Sequence, residues 1–516
     1  MILFGVYFSI LLFLIYKNQL FGFFRDEILN DKFFLRAFLV KVIGLLVFYW
    51  VYVKLYGSIN YSDTYNYFHE SKILNSVAHW NFSEYLKLMF GFQNDGPDTE
   101  LFRNFLRFTT VWDSDDGEWL YNDNRLMLRF HSVVHFISAN NYYTHALINL
   151  LLGFFGIHWL YKSSRLFFTG KEIYLYLSWL IFPGIWFWSS GLLKEGPVLF
   201  FMGMLLVSLT RISNGEWKIK NVMMLVLSIL LCFVFKQYIL LPLLCATIFY
   251  FLVNRLQKSD AQKVFLYVAS LTMFLILAGA LMKTYKGKSP VNLLYERQKT
   301  FLDMSEGGIF LLDSTKFIRL PYDTGLIMLR ETRNLTDKYV SIKKGAAFVY
   351  CEHSHQTDTL YCESNLDTSS VFQLYYIVPK AGSTIKIKPM ENNLWGFVSY
   401  IPNALYMTFC KPMFWEIRNS MDLLTLIENA IIWFFLFLFI YYLVMKKQIT
   451  VQQTYWASIC FIVVVIIGIT SPNLGAIERY RSPVIPFLLM AALQNAGFTE
   501  NKRWRYLFKN NPVKQK

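Results

Sequence analysis

The sequence is poor in charge. Only 16% of its 516 residues are charged, against 55% hydrophobic and 19% aromatic residues. A soluble globular domain carries about a quarter charged residues, so this composition excludes an ordinary soluble domain. The long apolar runs contain few ionisable side chains, and Lys41, near one end of the second run, is expected to snorkel to the membrane surface. This scarcity counts against a proton- or ion-coupled pump, which relies on buried ionisable relays.

Other signatures are missing as well. The chain shows no repeat of fixed period, no inverted pair of broken helices, and no zinc finger or basic-aromatic platform for nucleic acid. The formal net charge of +15 does not point to nucleic acid, because the basic excess lies in short links between the apolar runs. Anionic lipid headgroups are a sufficient partner for that excess. We therefore expect membrane lipids as partners and no nucleic acid.

Apolar runs of helical length recur along the chain. They lie near 2–16, 35–56, 142–161, 173–190, 197–210, 221–235, 238–254, 264–282, 424–445, 454–470 and 483–496. A membrane span needs about 20 mostly apolar residues, and about 17 suffice with little tilt. No small-residue cleavage site precedes Lys17, so the first run is predicted to be a retained span. The predicted fold is an all-α polytopic membrane protein with about 11 transmembrane helices.

The basic links predict a topology. With this number of spans, all the short Lys- and Arg-rich links fall on one face, which the positive-inside rule makes cytoplasmic. The long segments 57–141 and 283–423 then face outward. High aromatic, Lys and Asn usage favours a bacterial inner membrane. We predict three domains: an N-terminal transmembrane module (1–283), an extracytoplasmic insert (284–395) and a C-terminal transmembrane module (396–516).

The insert is predicted to be β-rich. It is about 110 residues long, is polar and contains Gly and Pro. Over 383–388, polar and apolar side chains alternate as they do in a β-strand. Cys351 and Cys362 lie next to strand-like residues, and an oxidising outer compartment permits a disulfide between them. A zinc site with His353 and His355 is the alternative, although the spacing is not a standard one.

Two acidic features stand out in the first long outward segment. Asp63 lies just beyond the second apolar run, where a low-dielectric surface can raise the pKa of a carboxyl group and make it a base or acid. The alternative is that Asp63 caps the following helix. Further on, an acidic turn is predicted to be either solvated or a divalent-cation site, without the EF-hand spacing. Its carboxylates are Asp113, Asp115, Asp116 and Glu118, between Trp112 and Trp119, which can stack on a sugar or anchor the turn to lipid.

Cations occur in short turns that are predicted to face outward. Lys194 follows a Gly-containing turn and suits a lipid-linked phosphate, or alternatively pairs with Glu195. Arg479 and Arg481 precede the last apolar run and can form a bidentate phosphate clamp. Lys236 is a weaker candidate of the same kind.

Amphipathic segments also occur between the second and third apolar runs. Residues 65–80 repeat apolar side chains at helical spacing, which predicts a helix lying at the membrane interface. A second segment, 124–137, carries Arg125 and Arg129 on one face, together with His131 and His135.

These motifs, in this order, resemble the GT-C superfamily of membrane glycosyltransferases, which includes protein mannosyltransferase-like and lipid A aminoarabinose transferase-like members. The resemblance extends from about residue 35 to 496. The matching motifs are Ser62–Tyr67, Thr144–Gly153, Pro183 with Ser189–Glu195, and Glu478–Pro483 with Pro486.

The resemblance implies transfer of a sugar from a polyprenyl-phosphate donor to a glycan, lipid or protein acceptor at the extracytoplasmic face. It implies Asp63 as the catalytic carboxylate of an inverting displacement, and Lys194, Arg479 and Arg481 as ligands of the donor phosphate. No cofactor is required in this family, and a divalent cation is optional.

Two alternatives stay open. A polysaccharide polymerase or O-antigen ligase would use Arg125, Arg129, His131 and His135, and the first three, with Glu195, are also candidate acceptor residues of a transferase. A non-enzymatic export or assembly component would bind another envelope protein through the β-rich insert.

Overall fold

The structure is a computed structural model. It describes residues 2–17, 23–24, 26–55, 62–94, 96, 98–109, 111–112, 123–313, 316–320, 326–330, 339–342, 349–351, 361–362, 372–378, 382–385, 387–417, 420–446, 449–495, 500 and 502–509. The chain divides into two compact units. Unit 1 comprises 1–275, 418–463 and 481–516, and unit 2 comprises 276–417 and 464–480. The predicted C-terminal module, 396–516, is therefore divided between the units.

Helices make up most of the described residues. In chain order they are α1 (Ile2–Tyr16), α2 (Asp31–Tyr49), α3 (Asp63–Trp80), α4 (Phe82–Phe90), α5 (Glu100–Asn104), α6 (Asp123–Ser138), α7 (Tyr142–Ser164), α8 (Glu172–Leu180), α9 (Pro183–Trp188), α10 (Glu195–Ser213), α11 (Ile219–Asn254), α12 (Asp260–Lys286), α13 (Pro290–Glu306), α14 (Leu394–Cys410), α15 (Ser420–Lys446), α16 (Val451–Thr470), α17 (Leu474–Arg481), α18 (Ile485–Asn495) and α19 (Lys502–Phe508).

Within the described residues, seven helices are long and apolar enough to cross a membrane. They are α2, α7, α10, α11, α12, α15 and α16, and each falls on predicted apolar runs. Helices α1 and α18 are apolar but shorter. The length and composition of these helices identify an integral, polytopic membrane protein.

Besides the short α1 and α18, two further differences reduce the predicted eleven spans to seven long helices. The run 173–190 is interrupted, since α8 ends at Leu180 and α9 begins at Pro183, and proline disfavours helical backbone at the residue before it. The runs 221–235 and 238–254 join in α11, a 36-residue helix whose backbone is non-helical at Lys236. Each half of α11 is about 26 Å long, close to the thickness of a hydrocarbon core.

Helices α7 and α10 approach each other closely at glycine. A Cβ atom added to Gly156 would lie 2.3 Å from the backbone of Leu199, and one added to Gly203 would lie 2.4 Å from the carbonyl oxygen of Gly156. Small residues allow helix backbones in a membrane to pack this tightly. This packing places the start of α10 against α7.

Helices α3 and α6 form a second pair in unit 1. Tyr67 donates a hydrogen bond to Asn124 (2.8 Å), and Asn75 donates to the carbonyl of Ser132 (3.0 Å). Residue numbers rise together along both helices, so the helices run in the same direction and both begin at the same end of the pair. Because α3 buries Tyr67, Leu74 and Val77 against its neighbours, about half of the apolar face predicted over 65–80 is used for packing within the protein.

Unit 2 contains a β-sheet. Its described strands are β1 (Gly308–Asp313), β2 (Lys316–Leu320), β3 (Leu326–Arg330), β4 (Tyr339–Ile342), β5 (Val349–Cys351), β6 (Tyr361–Cys362) and β7 (Phe372–Val378). The sheet order is β3-β4-β7-β1-β2-β5-β6, with antiparallel neighbours. The register pairs Cys351 with Tyr361 and Cys362 with Tyr350, so the two cysteines are not direct partners in the ladder. The predicted disulfide concerns side chains outside the described part.

Candidate functional site

An ion pair lies at the start of α10. Lys194 precedes the helix, and its Nζ is 2.6 Å from a carboxylate oxygen of Asp123. The same ammonium lies 5.9 Å from the ring centre of Tyr67, which is within reach of a cation–π contact. The turn before Lys194 is held by the amide of Asn149, which donates to the carbonyls of Gly191 (2.7 Å) and Leu193 (2.8 Å). Lys194 is therefore a positioned cation.

Three other charged groups act on the Lys194 ammonium. Burial lowers the pKa of Lys194, and the ammonium of Lys236 lowers it further, whereas the carboxylates of Asp123 and Asp63 raise it. The result is a pKa below the ordinary value of 10.5. We call Asp63, Asp123, Lys194 and Lys236 the Lys194 cluster. It contains two charges of each sign and brings together three groups predicted from sequence, namely Asp63, Lys194 and the weaker candidate Lys236.

Both carboxylates of the cluster lie at helix starts. Asp63 is the first residue of α3 and Asp123 the first residue of α6. Helix N-termini carry a partial positive charge that stabilises carboxylates at these positions. Ser62, with extended backbone, occupies the N-cap of α3, so the interpretation of Asp63 as the cap is wrong by one residue. The side chain of Asp63 is exposed, as a group that meets a substrate must be.

The predictions for two lysines change in this geometry. Lys194 pairs with Asp123, which the sequence analysis missed, whereas the predicted alternative was a pair with Glu195. Glu195 is the buried first residue of α10. Lys41 does not snorkel: it is fully buried, and its ammonium donates to the hydroxyl of Ser189 (2.7 Å) and the carbonyl of Ile185 (3.2 Å).

Arg481 is an interior residue. Its side chain is 0% exposed, and it donates to Glu428 (3.0 Å) and to the side-chain oxygen of Asn429 (2.7 Å). A guanidinium group in this position cannot meet a phosphate unless the ion pair opens, so the placement does not support Arg481 as one arm of a phosphate clamp. Arg479 is half-buried in α17. Glu428 was missed, although an acidic residue inside an apolar run signals a buried partner.

The arginines of α6 are buried around Trp112. Arg125 donates to the carbonyl of Trp112 (2.8 Å) and Arg129 to that of Leu88 (2.9 Å). Their guanidinium carbons lie 4.8 and 5.1 Å from the Trp112 ring, and the carboxylate of Glu70 accepts from the Trp112 amide (3.3 Å). Trp112 is thus a core residue, which corrects the idea that it stacks on a sugar or anchors the turn to lipid.

Three histidines form a buried group between α6 and α7. The Nδ1 atoms of His131 and His145 are 3.2 Å apart, and the rings of His135 and His145 are 4.2 Å apart. His135 also contacts the hydroxyl of Ser71 (3.1 Å). Burial lowers the pKa of His131 to about 3, and burial lowers the pKa of His135 as well. Both are therefore neutral near pH 7.

This group predicts acid sensitivity. The pKa values of His131 and His135 are depressed in the folded chain, so below about pH 6.5 the unfolded chain binds protons that the folded chain does not. Stability should fall as pH decreases from 6.5 towards 3. His135→Gln should reduce this pH dependence, measured as the midpoint of detergent unfolding at pH 7 and pH 5.

The matched control is His79→Gln, at an exposed position of α3, which should keep the acid sensitivity of the parent. An equal change in the unfolding midpoint between pH 7 and pH 5 for the parent and His135→Gln would contradict the prediction.

Metal-type ligands do not cluster in the part of the chain that is described: no three His, Cys, Asp or Glu side chains there could hold an ion together. The predicted cation-site residues Asp113, Asp115, Asp116 and Glu118, like Trp119, lie outside the described residues.

No protein-family model, no curated protein and no solved structure matches the chain, so the GT-C resemblance rests on the sequence motifs alone.

Proposed function

We propose that the protein is an inverting membrane glycosyltransferase that moves a sugar from a polyprenyl-phosphate donor to a glycan, lipid or protein acceptor. The observation that carries this proposal is the Lys194 cluster. An exposed carboxylate, Asp63, lies within electrostatic range of a positioned ammonium, Lys194. A displacement at an anomeric carbon requires a base on the acceptor side and a cation on the leaving-group side.

The roles follow from the charges of the cluster and from the exposure of Asp63, while Lys194 itself is 9% exposed. Asp63 accepts the proton of the acceptor hydroxyl while the oxygen of that hydroxyl attacks the anomeric carbon of the sugar. The bond between the anomeric carbon and the polyprenyl-phosphate oxygen breaks. Lys194, with Lys236 nearby, stabilises the negative charge that develops on the leaving phosphate. Arg479 remains a predicted phosphate ligand. Asp123 holds the Lys194 ammonium in place through the ion pair.

The site belongs, in this proposal, to the outer face of a bacterial inner membrane. The support is the distribution of basic residues between the apolar runs. The proposal includes eleven spans, with the two halves of α11 crossing separately, and an outward location for the β-rich insert.

The polymerase or ligase alternative has less support. It needs Arg125, Arg129, His131 and His135 on a substrate-facing surface, and all four are buried. A non-enzymatic envelope component is favoured by one observation, the sheet of unit 2. Deleting 290–390 would then abolish the function of such a component, and the parent protein would show no sugar transfer.

Asp63→Asn tests the proposed function. Removing the general base should lower the transfer rate by about 100-fold or more, without changing expression or thermal stability. The assay measures release of polyprenyl phosphate from a panel of polyprenyl-phosphate sugars in proteoliposomes.

The control is Glu100→Gln, which changes an exposed carboxylate at the first residue of α5 and should leave the rate unchanged. Full activity of Asp63→Asn would remove Asp63 from the mechanism. Absence of turnover with every donor in the panel would reject the transferase.

A further inference from the structure

Helix α6 exposes apolar side chains and buries charged and polar ones, which is unusual for a helix in water. Its buried residues include the apolar Met127, Leu128 and Val134 but are mostly polar, whereas its exposed face is apolar. The buried polar residues are Arg125, Arg129, His131, Ser132, His135 and Ser138. The exposed side chains are Phe130, Val133, Phe136 and Ile137, with Ile137 54% exposed. Soluble surfaces show the opposite arrangement, with polar groups outside. The pattern indicates an apolar medium on the outer side of α6.

Helix α4 extends this apolar face. It packs on α6 through Tyr85, whose hydroxyl shares a hydrogen bond with Ser132 (2.8 Å), and through its carbonyl at Leu88, which accepts from Arg129 (2.9 Å). The side chains that point away from this contact recur every four residues. They are Phe82, Leu86 and Phe90, followed by Phe92, and the last two are 65% and 77% exposed. We call these residues and the exposed side chains of α6 the outer apolar surface.

The outer apolar surface is continuous with membrane-spanning structure. Helix α6 ends at Ser138, and the candidate span α7 begins at Tyr142. On the other side, Tyr7 of α1 donates a hydrogen bond to the carbonyl of Ile137 (2.8 Å), and Phe4 lies 5.6 Å from the ring of Tyr143. These contacts place the end of α6 beside the first turns of α1 and α7. Helix α1 is apolar and also has exposed side chains of its own.

We propose that the outer apolar surface is embedded in the acyl chains of the phospholipid bilayer, and that α4 and α6 lie within the membrane boundary. The occupant is lipid because the surface adjoins two apolar helices and joins a span directly. An amphipathic helix at this depth buries its apolar face by about 5–10 Å into the headgroup and acyl boundary. This inference does not depend on the proposed function.

Spin labels at single cysteines test the proposal. Leu86→Cys and Ile137→Cys are labelled in a variant whose native cysteines are replaced, then reconstituted into vesicles of phosphatidylcholine and phosphatidylglycerol. The matched control is Lys87→Cys, because the Lys87 side chain is 51% exposed and adjoins Leu86. Labels at 86 and 137 should be relaxed several-fold more by dissolved oxygen than by a water-soluble nickel chelate, and the label at 87 should show the reverse.

Two other results would overturn the proposal. Relaxation of all three labels by the nickel chelate would place the surface in water. Exclusion of both reagents from 86 and 137 would indicate a protein occupant, such as a second copy of the chain.

A second measurement uses the unaltered protein in the same vesicles. A photoactivatable diazirine phospholipid should label peptides containing Phe82–Phe92 and Phe130–Ile137, and should spare the Glu100–Asn104 peptide. Equal labelling of the three peptides, or labelling of the last one alone, would reject the inference.

Discussion

Glu428→Gln should reduce the free energy of unfolding by about 3–5 kcal/mol. The substituted glutamine would keep the size and shape of the side chain but would remove the negative charge that Arg481 contacts at 3.0 Å. Arg481 is 0% exposed, and guanidinium cannot lose its proton, so a positive charge would remain buried without its counter-charge. Unfolding by sodium dodecyl sulfate in mixed micelles would measure the loss.

Glu84→Gln is the matched control for this substitution. Glu84 also pairs with a cation, Lys87, at 2.7 Å, but the side chains of this pair are 26% and 51% exposed. Exposed pairs contribute about 0–1 kcal/mol, so the control should lie close to the parent. Equal losses for the two variants would show that burial does not determine the strength of the Glu428–Arg481 pair.

Replacing both partners separates stability from ligand binding. Replacing a buried ion pair with apolar residues of similar volume often changes the free energy of unfolding little. The double variant Glu428→Leu with Arg481→Met should therefore recover most of the stability lost in Glu428→Gln. If Arg481 has only a structural role, the double variant should also keep sugar transfer. Recovery of stability without recovery of sugar transfer would indicate that Arg481 binds the donor phosphate after all.

The membrane-spanning helices could be predicted because hydropathy is a local property. Each of the seven long apolar helices falls on a run of apolar residues that can be read without knowing its neighbours. The Lys194–Asp123 pair could not be predicted in this way. It requires α3 and α6 to run in the same direction and to begin beside the turn before α10, which is decided by packing between distant segments.

Buried charges were harder to predict than exposed ones. Lys41 lies near one end of a predicted span, where snorkelling to the surface is the usual outcome. The structure instead places two hydrogen-bond acceptors beside its ammonium, the carbonyl of Ile185 and the hydroxyl of Ser189. Arg481 likewise reads as an outward-facing cation in sequence, because its partner Glu428 lies more than fifty residues earlier, in α15.

Gly156→Ala should be at least as damaging to stability as a typical overpacked core substitution, with a loss of about 3 kcal/mol. The added Cβ would lie 2.3 Å from the carbonyl carbon and oxygen of Leu199. These are backbone atoms of α10, so no side chain can rotate to make room, and α7 and α10 must move apart. That movement also displaces the turn that Asn149 holds, and with it Lys194.

Gly5→Ala provides the matched control because no atom lies within 4 Å of a Cβ built at Gly5, among the residues described. Alanine is favoured over glycine in a helix by about 0.5–1 kcal/mol, so this variant should match or exceed the parent in stability.

Gly203→Ala addresses the same contact from α10, since its Cβ would meet the Gly156 carbonyl oxygen at 2.4 Å. Once the helices have separated, the second substitution meets less resistance, so the double variant should lose less stability than the sum of the single losses. Additive losses, or a Gly156→Ala variant as stable as Gly5→Ala in the same detergent titration, would contradict close backbone packing between α7 and α10.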